Sequence, residues 1–414
     1  MKRARRETVG MPGEPIVEID ALADASIWRR EPYRLLFPAG IVLSWAGISH
    51  WLLHATGVLL DYRPIFHAIT QIQGFMTCFG VGFLFTMIPR RTGSAPPAGW
   101  QVGVALVAPV VTVVAAWSRH WLLSQVAWLM LAATLVGFAV QRFVSGSSRR
   151  RPPNNFVWIP LALLMGIAGS VMIGADGWLV YDPWWHGFGR GLLLQGMFIG
   201  LVLGVGGLAL PLMTRGAAPA DAEATPRELL ERAAHLAGGV LLLASFWIET
   251  QGSLRPAMLL RGVVILVVLL ASAQLWRRPT RQGWNGRLVW GAAWLLPLGY
   301  LVASAFPAHY KASLHISFIG GFALLALAVS TQVTLGHGGY EQLLLGKPWQ
   351  VLVIGALMML AIIPRALMEL DRARYFGWMA ATSILFLAAT LVWASFLLPK
   401  LVLVDAHGDR RIGA

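Results

Sequence analysis

The sequence has few charged residues and almost no cysteine. Only 13% of its 414 residues are Asp, Glu, Lys or Arg, whereas soluble domains carry roughly 25%. The one cysteine is Cys78, and a single thiol excludes an internal disulfide, a zinc site built on several thiolates and a cysteine-ligated iron–sulfur centre. A chain with so little charge is expected to have a membrane, rather than water, around most of its surface.

Long apolar runs account for most of the sequence, of which 57% is hydrophobic. Many runs exceed the roughly 18 residues that a helix needs to cross a bilayer. The sequence therefore predicts an all-α fold, a polytopic membrane bundle of about twelve transmembrane helices. The candidate spans are 35–57, 65–88, 100–117, 121–141, 156–174, 189–213, 235–250, 257–276, 287–305, 313–335, 349–368 and 376–403.

The formal net charge of +14 is the pattern of a membrane protein with basic cytoplasmic loops, and no nucleic-acid partner is predicted. With an even number of spans, most Lys and Arg residues fall on the side of the two termini, so both termini are predicted to be cytoplasmic. The predicted organisation is a flexible basic arm over 1–34, a twelve-span bundle over 35–403 and a short cytoplasmic tail over 404–414. No signal peptide is predicted.

Two smaller features complete the organisation. Thr225, followed by Pro226 and Glu228, predicts a helix cap and a short surface helix in the loop 215–234. No close sequence repeat is visible, and an arrangement in two halves of six spans stays open.

One stripe of span two combines polar and small residues. Residues three or four positions apart share a helical face. Polar groups and glycines on one face indicate close packing and ligands offered to the bundle interior. The stripe consists of His67, Gln71, Gly74, Cys78 and Gly82.

Most of the ten histidines fall at the predicted outer side. His50 and His54 end span one, His67 opens span two, and His315 begins span ten at the same depth. Imidazole binds haem iron and copper well. These four histidines are therefore the candidate metal ligands, although a single histidine near a helix end is often only an interfacial hydrogen-bonding residue.

Other polar side chains within the spans are candidate site residues because burying them in lipid costs free energy unless they are paired. Gln71 and Gln73 are predicted to tune the far side of a bound haem. Arg190, near Gln195 in span six, is a candidate partner for haem propionates, or a snorkelling interfacial charge. Glu249, at the outer end of span seven, is predicted to be solvated.

Several segments resemble a known family. The segment HAITQIQGFMTCFGVGFLFTMIPRRTG, from residue 67, is similar to the NnrS signature HAHEMLFG followed by GFLLTAVPNWTG. HISFIGGFALLALAVSTQVTLGHGGY, from residue 315, is similar to the second NnrS signature, HALTVGAIGTMILAVMTRVALGHTGR. REPYRLLFPAG and GVGGLALPLMT resemble two further segments, and all four occur in the family's order.

The resemblance implies a multi-pass protein of the bacterial inner membrane that contains haem b and copper. It implies a role in nitric oxide metabolism and nitrosative-stress resistance, often beside denitrification. The matching positions give His67, His315 and His337 as signature histidines. The family's second histidine and its glutamate fall at Ile69 and Thr70 here, which puts copper in doubt and leaves haem as the better-supported cofactor.

The leading hypothesis is a haem-binding protein that handles or senses nitric oxide, or another small diatomic ligand, with an unknown electron donor. Whether it is an enzyme, a haem-dependent oxidoreductase acting on nitric oxide, stays open. One alternative is a divergent haem–copper oxidase or nitric oxide reductase subunit, but no two histidines are adjacent here. The other alternative is a transporter or channel without a cofactor, which twelve spans also fit.

Overall fold

Twelve membrane-length helices make up most of the part of the chain that the structure describes. The computed structural model describes residues 25–146, 152–176, 182–217, 223 and 225–402. The predicted all-α bundle of twelve transmembrane helices is confirmed. The helices are α1 (Tyr33–Ala55), α2 (Pro64–Thr92), α3 (Gly99–Trp117), α4 (Trp121–Ser145), α5 (Asn154–Ala175), α6 (Pro183–Arg215), α7 (Pro226–Thr250), α8 (Leu254–Ser272), α9 (Trp284–Ala305), α10 (Pro307–His337), α11 (Trp349–Leu370) and α12 (Arg372–Val402).

The start of α7 differs from the prediction. The Thr225 side chain does cap a helix, because its Oγ1 accepts a hydrogen bond from the Glu228 N–H at 3.3 Å. That helix continues without a break to Thr250, so the separate surface helix predicted for this loop is wrong. A strong cap and a following proline mark where a helix begins, but they do not set its length.

The two ends of the chain are described only in part. Residues 1–24 and 403–414 lie outside the described residues, so the predicted flexible arm and cytoplasmic tail stay predictions. Within the described part, Ile27–Arg30 forms a short helix before α1.

The bundle consists of three groups of four consecutive helices. In each group the first helix packs on the second and third, and the fourth packs on the second and third. The groups meet where α4 packs on α5, α8 on α9 and α12 on α1. The arrangement is thus a closed ring of three similar units, which replaces the two halves of six spans that the sequence left open.

The second helix of each group is the innermost. In the most apolar part of α2, α6 and α10, 83%, 67% and 67% of the residues are buried, against 56% or less in every other span. Each of these three helices also contains a π-helical segment: Thr70–Met76, Leu192–Gly196 and Ile316–Ala323. A π-helix widens the helix locally, and such segments often occur at functional sites.

A glycine from the first helix of each group lies against the π-helix of the second. A Cβ added to Gly47 of α1 would lie 2.7 Å from the Gln71 Nε2 atom. A Cβ on Gly169 of α5 would lie 2.6 Å from the Leu193 backbone N, and one on Gly299 of α9 would lie 2.6 Å from the Ser317 N. The same close approach therefore recurs three times, as expected for three related units.

Candidate functional site

Two histidines precede π-helices of the inner helices. His67 lies three residues before the π-helix of α2, and His315 directly precedes that of α10. The His67 Nδ1 lies 3.2 Å from the Gly47 carbonyl oxygen, and the His315 Nδ1 lies 2.6 Å from that of Lys311. Because a carbonyl oxygen only accepts, Nδ1 carries the proton in each pair and Nε2 keeps its lone pair. Both rings are thus oriented to offer Nε2 to a ligand.

The two histidines share one region of the bundle. His315 lies within electrostatic range of His67 and of Arg365 on α11. Both imidazoles keep part of their surface exposed, although they belong to two of the three most buried helices. Arg365 Nη1 lies 3.6 Å from Glu369. The structure therefore brings His67 and His315 together, as the sequence predicts, and adds a cation beside them that sequence reasoning missed.

Three histidines surround Trp51 at the same end of the bundle. The Trp51 ring centroid lies 5.1 Å from that of His50, 6.5 Å from that of His54 and 5.3 Å from that of His67. This end, which carries His50, His54, His67 and His315, is called the histidine face below. His50, His54 and His67 thus converge through ring contacts with one tryptophan, whereas the ring contact of His315 is with Phe318.

The loop between α1 and α2 closes this region from outside. The Arg63 guanidinium donates hydrogen bonds to Asp61 and holds the pKa of that carboxyl below its usual range. Burial, followed by the 3.3 Å hydrogen bond to the Tyr375 hydroxyl, raises the pKa of Tyr62 to about 12. Both groups thus keep their ordinary charge at neutral pH, and the loop is tied to the start of α12.

The geometry of the four candidate ligands does not fit a copper centre. His50 is 2% exposed, and its Nε2 accepts a hydrogen bond from the Arg63 N–H at 3.2 Å. The His54 Nδ1 lies 3.0 Å from the Leu59 carbonyl. Among the described residues, no three His, Cys, Asp or Glu side chains are grouped to hold a metal ion. The assignment of His50, His54, His67 and His315 as ligands stays a prediction.

A haem fits the surroundings of His67 and His315 better. One or two imidazoles suffice as axial ligands, and ligating histidines usually bond their second nitrogen to a carbonyl or carboxylate, which fixes the ring. His67 and His315 both do so through Nδ1. Arg365, which is paired with Glu369, is a cation within electrostatic range of both histidines.

The other predicted cofactor residues lie elsewhere or have other partners. The Gln71 Nε2 donates to the Ser44 carbonyl at 3.0 Å, beside Gly47. Gln73 is fully buried and exchanges two hydrogen bonds with Gln125 on α4, at 2.9 and 3.0 Å. Arg190 is exposed at the start of α6. The amide of Gln73 therefore links two helices. Among the described residues, no hydrogen bond joins Gln73 or Arg190 to either histidine.

His337 lies at the opposite end of α10 from His315. The helix between them has 22 residues, or about 33 Å at 1.5 Å per residue, so one cofactor cannot contact both. The His337 ring lies 5.8 Å from that of Tyr33, and its Nδ1 lies 3.0 Å from the Val333 carbonyl. His337, a signature histidine by the resemblance, is therefore separate from the site of His67 and His315.

A buried arginine was missed by sequence reasoning. Arg261 of α8 is fully buried, and its Nη2 lies 2.7 Å from the Glu249 carboxylate of α7. Its Nη1 donates to the Gln195 Oε1 at 2.8 Å and its Nε donates to the Ser245 Oγ at 3.1 Å. The prediction that Glu249 is merely solvated is wrong, because its carboxylate neutralises Arg261. The position of a charged residue within an apolar span was the sequence feature that could have predicted a buried partner.

Family membership follows from the comparison with known proteins. The chain matches no curated protein. The sequence model of the NnrS protein family matches residues 27–403, a stretch that contains all twelve helices and both histidines of the site. The chain therefore belongs to the NnrS family, a membership that supports a membrane protein related to nitric oxide.

Proposed function

We propose that the protein binds a b-type haem at the histidine face and uses it to bind nitric oxide or a similar small diatomic molecule. The observation that carries this proposal is the pair His67 and His315, each with Nδ1 bonded to a backbone carbonyl and each next to a π-helix of an inner helix. Family membership is consistent with this ligand class.

The chain's residues would act by holding and orienting the cofactor. Either His67 or His315 would hold the haem iron, which leaves a position for the diatomic ligand, and the carbonyls of Gly47 and Lys311 fix both rings. Arg365 would balance the charge of a propionate. A bound haem iron would supply an open coordination position for a neutral diatomic ligand. Gly47 also allows α1 to approach the π-helix of α2 closely, so it sets the position of His67.

We favour binding or sensing over proton-consuming reduction. Proton relays in membranes use Asp, Glu and His side chains. The polar residues of the π-helix that follows His67 are threonine and glutamine: Thr70, Gln71 and Gln73. The family's glutamate is replaced by Thr70 in this chain. An enzymatic role therefore stays a weaker proposal, with its electron donor unknown, and we derive no step through copper.

We also propose that the protein lies in a bacterial inner membrane with both termini in the cytoplasm. The basic residues near the termini support this orientation through the positive-inside rule. The histidine face then points to the periplasm, where a membrane-permeant gas arrives from the lipid.

The test is a reduced-minus-oxidised visible spectrum of the purified protein with iron and copper measured on the same sample. A b-type signal is expected, and it should be lost or strongly shifted in His67→Ala and His315→Ala. His120→Ala is the matched control, because His120 is exposed in the loop that leads into α4. Folded protein made with adequate haem that shows neither haem nor metal would overturn the proposal.

A cofactor-free transporter is the second candidate, and one observation favours it. The fully buried Arg261 and its partner Glu249 form an ion pair within the membrane-spanning part, and such pairs mark substrate or ion pathways in transporters. The absorption spectrum separates the two functions, because a transporter without a cofactor shows no haem bands.

A further inference from the structure

A small apolar cavity lies between the first and second groups of helices. It has a volume of about 20 Å³ and is lined by residues of α2, α4, α5 and α6. About 10–15 Å³ on this measure is enough for one water-sized molecule. The cavity therefore has room for one small molecule.

The walls of the cavity offer almost no hydrogen bonds. Its two polar lining side chains are Thr77 and Trp128, and each already has a partner. The Trp128 Nε1 donates to the Thr77 Oγ1 at 3.3 Å, and that hydroxyl donates to the Ile72 carbonyl at 2.9 Å. A cavity whose polar groups are satisfied internally is expected to stay dry and to bind apolar guests such as xenon.

Gly80 forms one wall of the cavity. A Cβ added to this residue would meet no heavy atom within 4 Å, unlike the crowded glycines that face the π-helices. Gly80 also keeps part of its surface exposed. The absence of a side chain here leaves the space open, although close helix packing does not require a glycine at this position.

A line of aromatic contacts joins the cavity to the histidine face. Phe198 lines the cavity, and its ring centroid lies 6.3 Å from that of Phe322. Phe322 lies 6.0 Å from Phe318, and Phe318 lies 5.8 Å from His315. These contacts run from the cavity between the first and second groups to His315 of α10. The three phenylalanine side chains along the way carry no hydrogen-bonding group.

We propose that this cavity is a docking site for a small neutral diatomic gas, which then moves along Phe198, Phe322 and Phe318 to His315. The apolar lining of the cavity selects the ligand class, because an ion or a strongly hydrated molecule would lose its hydrogen bonds on entry. The delivery step rests on the proposed function, since it needs a gas-binding centre at His315. The docking site itself does not depend on the proposed function.

The first test uses xenon, which is inert and needs no haem. A structure of the purified protein under xenon pressure should show one xenon atom beside Thr77, Gly80 and Trp128. Gly80→Leu should remove that atom, because the new side chain fills the open space. Gly137→Leu is the matched control, since Gly137 is an exposed glycine on α4 that also has no neighbour within 4 Å of an added Cβ.

No xenon in the wild-type cavity, or xenon retained in Gly80→Leu, would overturn the docking site. Should Gly80→Leu fail to fold, Ala132→Leu fills the same space from α4, because Ala132 also lines the cavity. Xenon at the cavity in a protein that binds no haem would support the docking site while the proposed function fails.

The second test measures delivery in haem-loaded protein. After flash photolysis of the nitric oxide complex, second-order rebinding from solution should slow several-fold in Gly80→Leu and stay at the wild-type rate in Gly137→Leu. Equal rates in the two variants would overturn delivery through this cavity.

Discussion

In both the first and the second group of helices, a glutamine on the π-helix of the inner helix makes polar side-chain contacts, but the chemistry of those contacts differs. In the first group, Gln73 of the α2 π-helix bonds to Gln125, whose Oε1 also accepts from the Ser170 hydroxyl at 2.8 Å. In the second group, Gln195 of the α6 π-helix accepts from Arg261, which is paired with Glu249. One cluster is neutral and the other is ionic, and both join an inner helix to the fourth helix of its own group.

In these two groups the inner helix is therefore joined to the fourth helix by polar contacts at its π-helix, whatever charge those contacts carry. The neutral amide pair lies in the group that carries His67, and the ion pair lies in the group whose inner helix has no candidate axial histidine before its π-helix (Leu192–Gly196).

The largest expected effect is that of Arg261→Met. Removing one partner of a buried ion pair costs about 3–5 kcal/mol, and we expect the lower end because the Glu249 side chain is 27% exposed. The free energy of unfolding in detergent should fall by about 3 kcal/mol. Arg255→Met is the control, because Arg255 lies exposed on the same helix. An equal effect in both variants would show that the ionic cluster is not a brace.

A smaller effect is expected at the glycines that face the π-helices, and it should differ between groups. In Gly169→Ala, the new Cβ meets the Leu193 backbone N and the Gly189 carbonyl, both at 2.6 Å. In Gly47→Ala, it meets the side chains of Gln71 and Thr70. Overpacking costs about 1–3 kcal/mol, and backbone yields less than side chains. Gly169→Ala should therefore lower the melting temperature more.

The same pair of variants separates stability from cofactor binding. Gly47→Ala should shift the haem spectrum, since the Gly47 carbonyl orients His67, whereas Gly169→Ala should leave the spectrum unchanged in protein that folds. A spectral shift in Gly169→Ala alone would contradict this assignment.

A lesser effect is expected in the neutral cluster. Gln73→Leu leaves the Gln125 amide without its partner, and interhelical hydrogen bonds in membranes contribute about 1 kcal/mol each. The double variant Gln73→Leu with Gln125→Leu should recover part of that loss, because no unpaired amide remains. The free energy of unfolding of the two variants decides the point. A double variant less stable than the single one would indicate that the cluster does more than join two helices.

The smallest effect is expected in the loop over the histidine face. The pKa of Asp61 is lowered by the hydrogen bond from Arg63, so this pair stabilises the fold above the usual aspartate pKa, and the stabilisation is lost as pH falls through the lowered value. Asp61→Asn should therefore melt slightly below the wild type at neutral pH, and the two curves should meet in acid. A difference that persists in strong acid would assign the effect to something other than this charge.

The sequence predicted the parts of the structure that follow from composition and spacing. Twelve spans, the depth shared by His67 and His315, and the separate position of His337 all follow from helix length and periodicity. The π-helices were not predicted, because one inserted residue leaves no distinct pattern in an apolar run. Length does not reveal them either: α2, α6 and α10 have 29, 33 and 31 residues, but α12, which has no π-helical segment, also has 31.

Arg261 was missed for a different reason. Counting charges by side assigned it to the outer end of span eight (257–276), where a single arginine is ordinary. Its partners Glu249, Gln195 and Ser245 come from two other helices, and only the packing of those helices brings them together. The ring of three groups was likewise hidden, because the groups share backbone contacts without sharing visible sequence.

The closure of the ring has a consequence for biosynthesis. Of the twelve spans, α1 is synthesised first, and it obtains its packing partner α12 only when the last of the twelve has been made. The Arg34 side chain of α1 then donates to the carbonyls of Lys400 and Leu401, at 3.2 and 3.1 Å, near the end of α12. Until α12 is made, Arg34 has its local partner Glu31 but lacks these two carbonyl acceptors, so the last of the twelve spans completes the packing of the first.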